Sequence, residues 1–180
     1  MMKKVNNSSL VIDNYNLFEL MQNDALGVIA LHSFTLGYHT IAKNRKNDVT
    51  FPKLEYLFFV LPIVYNYSAM LSFLNSNELY TALMKEHSIL LGLQDRAYKM
   101  TKQTFNGLNV AFSKKVLSIN KQNGTIILLR PHTVKKLALT MSSNISCDSV
   151  KQIQDSAYKL GSIFAKKHDK NIQNDLNIRF

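Results

Sequence analysis

The sequence predicts a mainly α fold of the α+β class: a helical domain with a winged-helix-like helix–helix–β-hairpin unit and a long C-terminal helix. Three observations predict it. Apolar residues recur at helical spacing along most of the chain. That pattern gives way to two short β-branched runs around Asn123-Gly124. A last amphipathic stretch then runs from about Asp148 to His168. A chain of 180 residues is one domain, or one with an extra helical layer, and 46% hydrophobic residues are ample for its core. Residues 1–14 read as a polar N-terminal arm and 15–180 as the single domain.

The first helix starts at Asn23 or Asp24, an N-cap with an acidic first turn. Leu26, Ile29, Ala30, Phe34 and Ile41 mark its apolar positions. Gly27 and Gly37 inside it cost about 1 kcal/mol each relative to Ala, tolerable where another helix must approach closely. Lys43, Arg45 and Lys46 complement its negative end. Phe51-Pro52 opens a second helix with Pro52 at N1. This helix is apolar all round, as at the centre of a domain, and Pro62 should bend or end it near Leu61. A short helix follows, then one from Glu78 to Leu91 closed by Gly92.

The next helix spans about Gln94 to Ser113. Leu93, Ala97, Met100, Leu108 and Ala111 form its buried stripe, and Arg96, Lys99, Lys102, Gln103 and Asn106 face outward. Val116–Ile119 and Thr125–Leu129 flank the hairpin turn, and Arg130-Pro131 stops the second strand. After the Ser- and Asn-rich segment 142–146, Ile153, Ala157, Leu160, Ile163 and Phe164 form the apolar face of the last helix. Leu176, Ile178 and Phe180 are apolar enough to tuck back onto the body.

Composition narrows the function. The balance of 22 basic against 12 acidic residues, +10 in all, suits a polyanion or an acidic protein face. A single cysteine, Cys147, excludes an internal disulfide and a Cys-based zinc site and fits a cytoplasmic protein. The Lys-rich start runs into Asn6 to Ser9 without an apolar region, unlike a signal peptide. The strongest apolar run, Tyr56 to Tyr65, is about half a membrane span of roughly 20 residues and contains Pro62. No membrane association is expected.

Catalytic parts are missing. The chain has no phosphate-binding Gly-rich loop ending in Lys-Ser/Thr. Asp48, Glu55, Glu78, Glu86 and Asp95 are scattered rather than paired. His32 and His39 lie seven apart on one helix without a carboxylate to complete a metal site. Cys147 and His132 lack an orienting third group. Neither an enzyme nor a cofactor is expected.

Several blocks in order resemble a known family. Asn23 to Leu26 through Phe34 to Tyr38 resembles the opening helix of the middle component of three-component ABC systems. Phe51-Pro52-Lys53-Leu54 through Phe58 to Pro62 is similar to its leucine-rich second block with a "VLP" step, and Ala97 through Phe112 to its third helix. Lys159 to Ala165 is similar to its "LGxxFA" block. Asp24 replaces a proline usual beside Asn23, and His168 to Lys170 fills a turn where glycine is usual. The resemblance implies an accessory subunit that accompanies an SMC- or RecN-like ATPase and a nuclease-type effector in bacterial defence against phages and plasmids, as in Lamassu systems. It also implies access to double-stranded DNA through the complex.

Two sets of residues are candidates for contact. Lys114, Lys115, Lys121, Arg130, Lys135 and Lys136, with His132, gather on and beside the predicted wing, where they could meet DNA phosphates. No aromatics are interleaved for base stacking. The aromatic surplus between Tyr56 and Tyr67 suggests docking anchors at the exposed ends, Tyr65 and Tyr67, together with the terminal Phe180. A free-standing winged-helix DNA-binding regulator is the alternative, with Gln94, Arg96 and Lys99 as its base-reading side chains.

Overall fold

A computed structural model describes residues 23–47, 49–133, 135–137 and 147–179. The arm 1–14, the segment 142–146 and Phe180 lie outside the described residues. The element order is α1 (Asp24–Asn44), α2 (Leu54–Leu57), α3 (Val60–Val64), α4 (Tyr67–Leu74), α5 (Leu79–Lys85), a 3-10 turn (His87–Leu90), α6 (Leu93–Lys99), α7 (Thr101–Ser113), β1 (Leu117–Asn120), β2 (Thr125–Leu128), α8 (Cys147–Phe164) and α9 (Asp169–Leu176). Among the described residues the fold is mainly helical with one two-stranded antiparallel sheet.

Helix α1 is the axis. Its Asn23 cap accepts from the Ala25 N–H at 2.9 Å, as expected. Leu26, Ala30, Leu31, Phe34 and Ala42 are buried, and α1 packs on α8 along one side and α7 along another. By length and composition α1 could cross a membrane, yet most of it is buried inside the protein. It closes with the Lys46 N–H donating to the Lys43 carbonyl and the Asn47 N–H to the Ala42 carbonyl. Lys46 holds the left-handed conformation there, φ 56°, that glycine adopts at less cost. Lys115 (φ 55°) closes α7 in the same way.

The two glycines inside α1 each meet another helix. Gly27 faces Gly107 of α7, whose Cα would lie 3.7 Å from an added Cβ. Gly37 faces α8, where an added Cβ would overlap the Tyr158 carbonyl. The expected close approach occurs at Gly37, whereas at Gly27 an added Cβ would find only ordinary van der Waals contact.

The second helix differs from its prediction. Pro52 is not at N1: its carbonyl accepts from the Ile126 N–H at 2.9 Å, and Lys53 bridges Thr125. This stretch extends the hairpin, and α2 begins only at Leu54. The break falls at Phe58-Phe59, before Pro62, so that Pro62 is the third residue of α3. Backbone N–H groups in a first turn have no intrahelical acceptor, so the missing one costs little there. The apolar character is as expected, with Tyr56, Leu57, Val60, Leu61, Ile63 and Val64 all buried.

Two longer helices are also divided, and the last one ends earlier than predicted. The segment from Glu78 to Leu91 breaks at Glu86 (φ −144°, ψ 88°), and Gly92 follows at φ 59° as the left-handed residue expected. The Gln94–Ser113 stretch breaks at Met100. The last helix ends at Phe164, and His168 precedes a separate α9. Leu176 and Ile178 do tuck onto the core.

The hairpin pairs Leu117 with Leu128 and Asn120 with Thr125. Asn123 accepts from both the N–H and the hydroxyl of Thr125, and Gly124 sits at φ 66°. Buried Leu117 and Ile126 hold it to the body, where β2 lies against α1.

Candidate functional site

Where α1 ends and α8 turns into α9, two distant parts of the chain form one polar junction. Asp169, the first residue of α9, accepts from the Lys53 ammonium and the Tyr56 hydroxyl. Burial alone would raise the Asp169 carboxyl, but the Lys53 and Tyr56 hydrogen bonds and the Lys53 charge hold it below its usual value. The same hydrogen bond raises the Lys53 ammonium against the effect of burial. Burial, then the carboxylate, pushes up the Tyr56 hydroxyl, and burial followed by the Asp169 charge raises Tyr38.

An open cleft of about 780 Å³ lies over this junction, lined by Arg45, Lys46, Lys53, Lys166, Lys167 and Lys170 among others. Lys167 pairs with Asp175 at 2.6 Å. Lys166 donates to the Asn77 carbonyl at 2.8 Å. In the sequence Arg45 and Lys46 mark only the end of a helix. The signal missed was the second basic cluster, Lys166, Lys167 and Lys170, more than a hundred residues further on.

The predicted hairpin cations do not form one patch. Lys114, Lys115 and Arg130 are exposed at the base of the hairpin, where the Leu129 N–H donates to the Val116 carbonyl. Lys121 is exposed in the turn, roughly 13 Å away along strands rising about 3.3 Å per residue. That turn end is tied to α2, since the Leu54 N–H donates to the Gly124 carbonyl. Lys135 is exposed. Lys136 is engaged within the chain, 2.5 Å from Asp155 and 4.7 Å over the Tyr158 ring.

The tyrosines also part company. Tyr65 is not an exposed end: it packs against the core with its hydroxyl buried, and burial raises that hydroxyl. Tyr67 is 67% exposed. Among the described residues the most exposed aromatic is instead Tyr98, at 82%, beside a small groove that includes Phe58, Phe59 and Ala97. Phe105, close to it in sequence, meets Phe58 edge-on at 5.1 Å. A second exposed apolar pair, Tyr80 and Met84, lies one turn apart on α5. Tyr98 was legible in principle, because it falls off the stripe set by Leu93, Ala97 and Met100.

His32 and His39 serve the scaffold. His32 is fully buried with Nε2 3.0 Å from the His132 carbonyl. His39 stacks on Phe51 and meets the Thr50 carbonyl at 3.1 Å. Among the described residues no group of three or more His, Cys, Asp and Glu side chains could hold a metal ion. The Cys147 side chain lies outside the described residues.

Of the base-reading trio, Arg96 does not face outward: its guanidinium donates to the Ile89 carbonyl at 2.7 Å. Gln94 accepts from the Arg179 N–H, and α6 has only seven residues. Gln103 is also partly buried rather than outward.

No curated protein and no solved structure matches the chain. Residues 13–180 match the family model described as ABC-three component (ABC-3C) system Middle Component 3.

Proposed function

Because this chain belongs to the Middle Component 3 family of ABC-three component systems, we propose that it is a non-catalytic accessory subunit of an SMC-like ATPase complex that defends bacteria against phages and plasmids. In this reading it works in the cytoplasm, in a Lamassu-like assembly. It binds the ATPase near its head or neck, bridges it to a nuclease-type effector, and keeps that effector silent until foreign DNA engages the complex. The family match over nearly the whole chain carries the reading.

Exposed aromatics support the docking part. Tyr98, Tyr67 and Tyr80 are each about two-thirds exposed or more, and exposed aromatics are enriched among the anchors of protein interfaces. In the same reading the winged-helix-like hairpin meets the DNA backbone through Lys114, Lys115 and Arg130.

The test is co-expression of the chain with the products of its neighbouring genes, followed by size-exclusion chromatography. Stable co-elution with a large coiled-coil ATPase is expected. A homodimer that binds DNA and ignores the ATPase would replace the subunit with a free-standing regulator.

A further inference from the structure

We propose that the cleft between the end of α1 and the α8–α9 turn binds the phosphate backbone of duplex DNA. This rests on the reading above and adds to its hairpin contact a second and stronger one at a different site, and it concerns the chain by itself.

Six cations line the cleft: Arg45, Lys46, Lys53, Lys166, Lys167 and Lys170. Asp169 neutralises Lys53 and Asp175 neutralises Lys167, which leaves four positive charges without a carboxylate in an ion pair among the described residues. Asp48, adjacent in sequence to the lining residue Asn47, lies outside the described residues. Set fully against the cluster, it still leaves a positive majority. Lys166 is held by the Asn77 carbonyl. Arg45, Lys46 and Lys170 are exposed, and their side chains have no hydrogen bond or ion pair among the described residues. Lys46 also stands in a left-handed position where glycine would be less strained.

The chemistry favours a polymer backbone over a small molecule. Pockets for small ligands are mainly apolar and enclose them, whereas this cleft is open and lined with charge. It favours phosphates over bases, because Tyr38 and Tyr56 at its floor are buried and offer no stacking face. Binding should therefore be independent of sequence and steeply dependent on salt. The floor is rigid: backbone contact at Gly37 holds α1 against α8, and the Asp169 hydrogen bonds lock α9 to α2.

The test uses the full chain and a labelled random-sequence duplex, with anisotropy read over a series of salt concentrations. The triple variant Arg45→Gln, Lys46→Gln, Lys170→Gln is compared with Lys114→Gln, Lys115→Gln, Arg130→Gln. All six positions are exposed, and melting temperature serves as the folding control. The cleft variant should bind about tenfold or more weakly, with a salt slope shallower by about one for each phosphate it no longer neutralises. The hairpin variant should be weakened less. Three results would overturn the proposal: no salt-dependent binding by the unmodified chain, an unchanged slope in the cleft variant, or polyglutamate competing as well as DNA at equal charge. The last would identify an acidic protein face as the occupant. Association with an ATPase is measured separately, so either reading can fail alone.

Discussion

Gly161 of α8 and Gly37 of α1 lie at a contact with no room for a side chain on either helix. A Cβ on Gly161 would stand 2.9 Å from the Tyr38 nitrogen and overlap the Phe34 carbonyl, and one on Gly37 would overlap the Tyr158 carbonyl. In both cases the obstacle is backbone, which cannot rotate away. Gly37→Ala and Gly161→Ala should each cost stability at or above the upper end of the about 1–3 kcal/mol typical of overpacking. Gly27→Ala is the contrast, since its Cβ would meet Gly107 at an ordinary 3.7 Å. That change should be neutral or stabilise by up to about 1 kcal/mol through helix propensity. Urea unfolding decides. Equal losses at Gly27 and Gly37 would refute the close approach.

The Asp169 junction should show itself in acid. Its carboxyl is held below the usual 3.8 in the folded chain. The stability it contributes is complete above about that value and is lost as pH falls through the lower folded value. Tyr56→Phe removes one of the bonds that cause the depression. It should cost about 1–2 kcal/mol near neutrality and make the acid loss shallower. Superimposable acid-unfolding curves for the two proteins would show that the hydroxyl contributes nothing.

His32 should give a second pH signature in a different window. A carbonyl can only accept, so Nε2 carries the proton toward His132 and Nδ1 is left bare and buried with no partner among the described residues. Burial lowers its pKa below the ordinary 6.5, against the raising effect of the His132 carbonyl. The unfolded chain then takes up the proton first. Stability is complete above about pH 6.5 and declines as pH falls through that value. Replacement by Gln keeps a donor and removes the titration, so its melting temperature should vary less between pH 7 and 5.5. Equal slopes in both proteins would place the titration elsewhere.

Tyr98→Ala tests docking without touching the core. At 82% exposure its loss should alter stability by less than about 0.5 kcal/mol. If it anchors the ATPase, co-purification should weaken by about tenfold or more, or roughly 1.4 kcal/mol. Undiminished co-purification would assign that face to solvent.

Much of the fold was legible because its signals are local. Asn23 caps α1 through its own side chain, Asn123-Gly124 turns the hairpin, and Gly92 takes the left-handed conformation. The helix breaks at Phe58-Phe59, Glu86 and Met100 were not legible. They depend on which neighbour each half must pack against, and helical periodicity continues across them. The place of Pro52 is not local either: it comes from pairing with Ile126, a partner more than seventy residues away.

The candidate surfaces divide along the same line. The sequence by itself determined that the chain is helical, cationic and rich in exposed-capable aromatics, because composition and spacing are properties of single segments. Only the tertiary structure decided that Arg45 and Lys46 share a cleft with Lys170, that Lys136 is occupied by Asp155, and that Tyr98 rather than Tyr65 reaches solvent. Which charges meet is settled by how closely α1 and α8 approach, and that distance is set by two glycines more than a hundred residues apart.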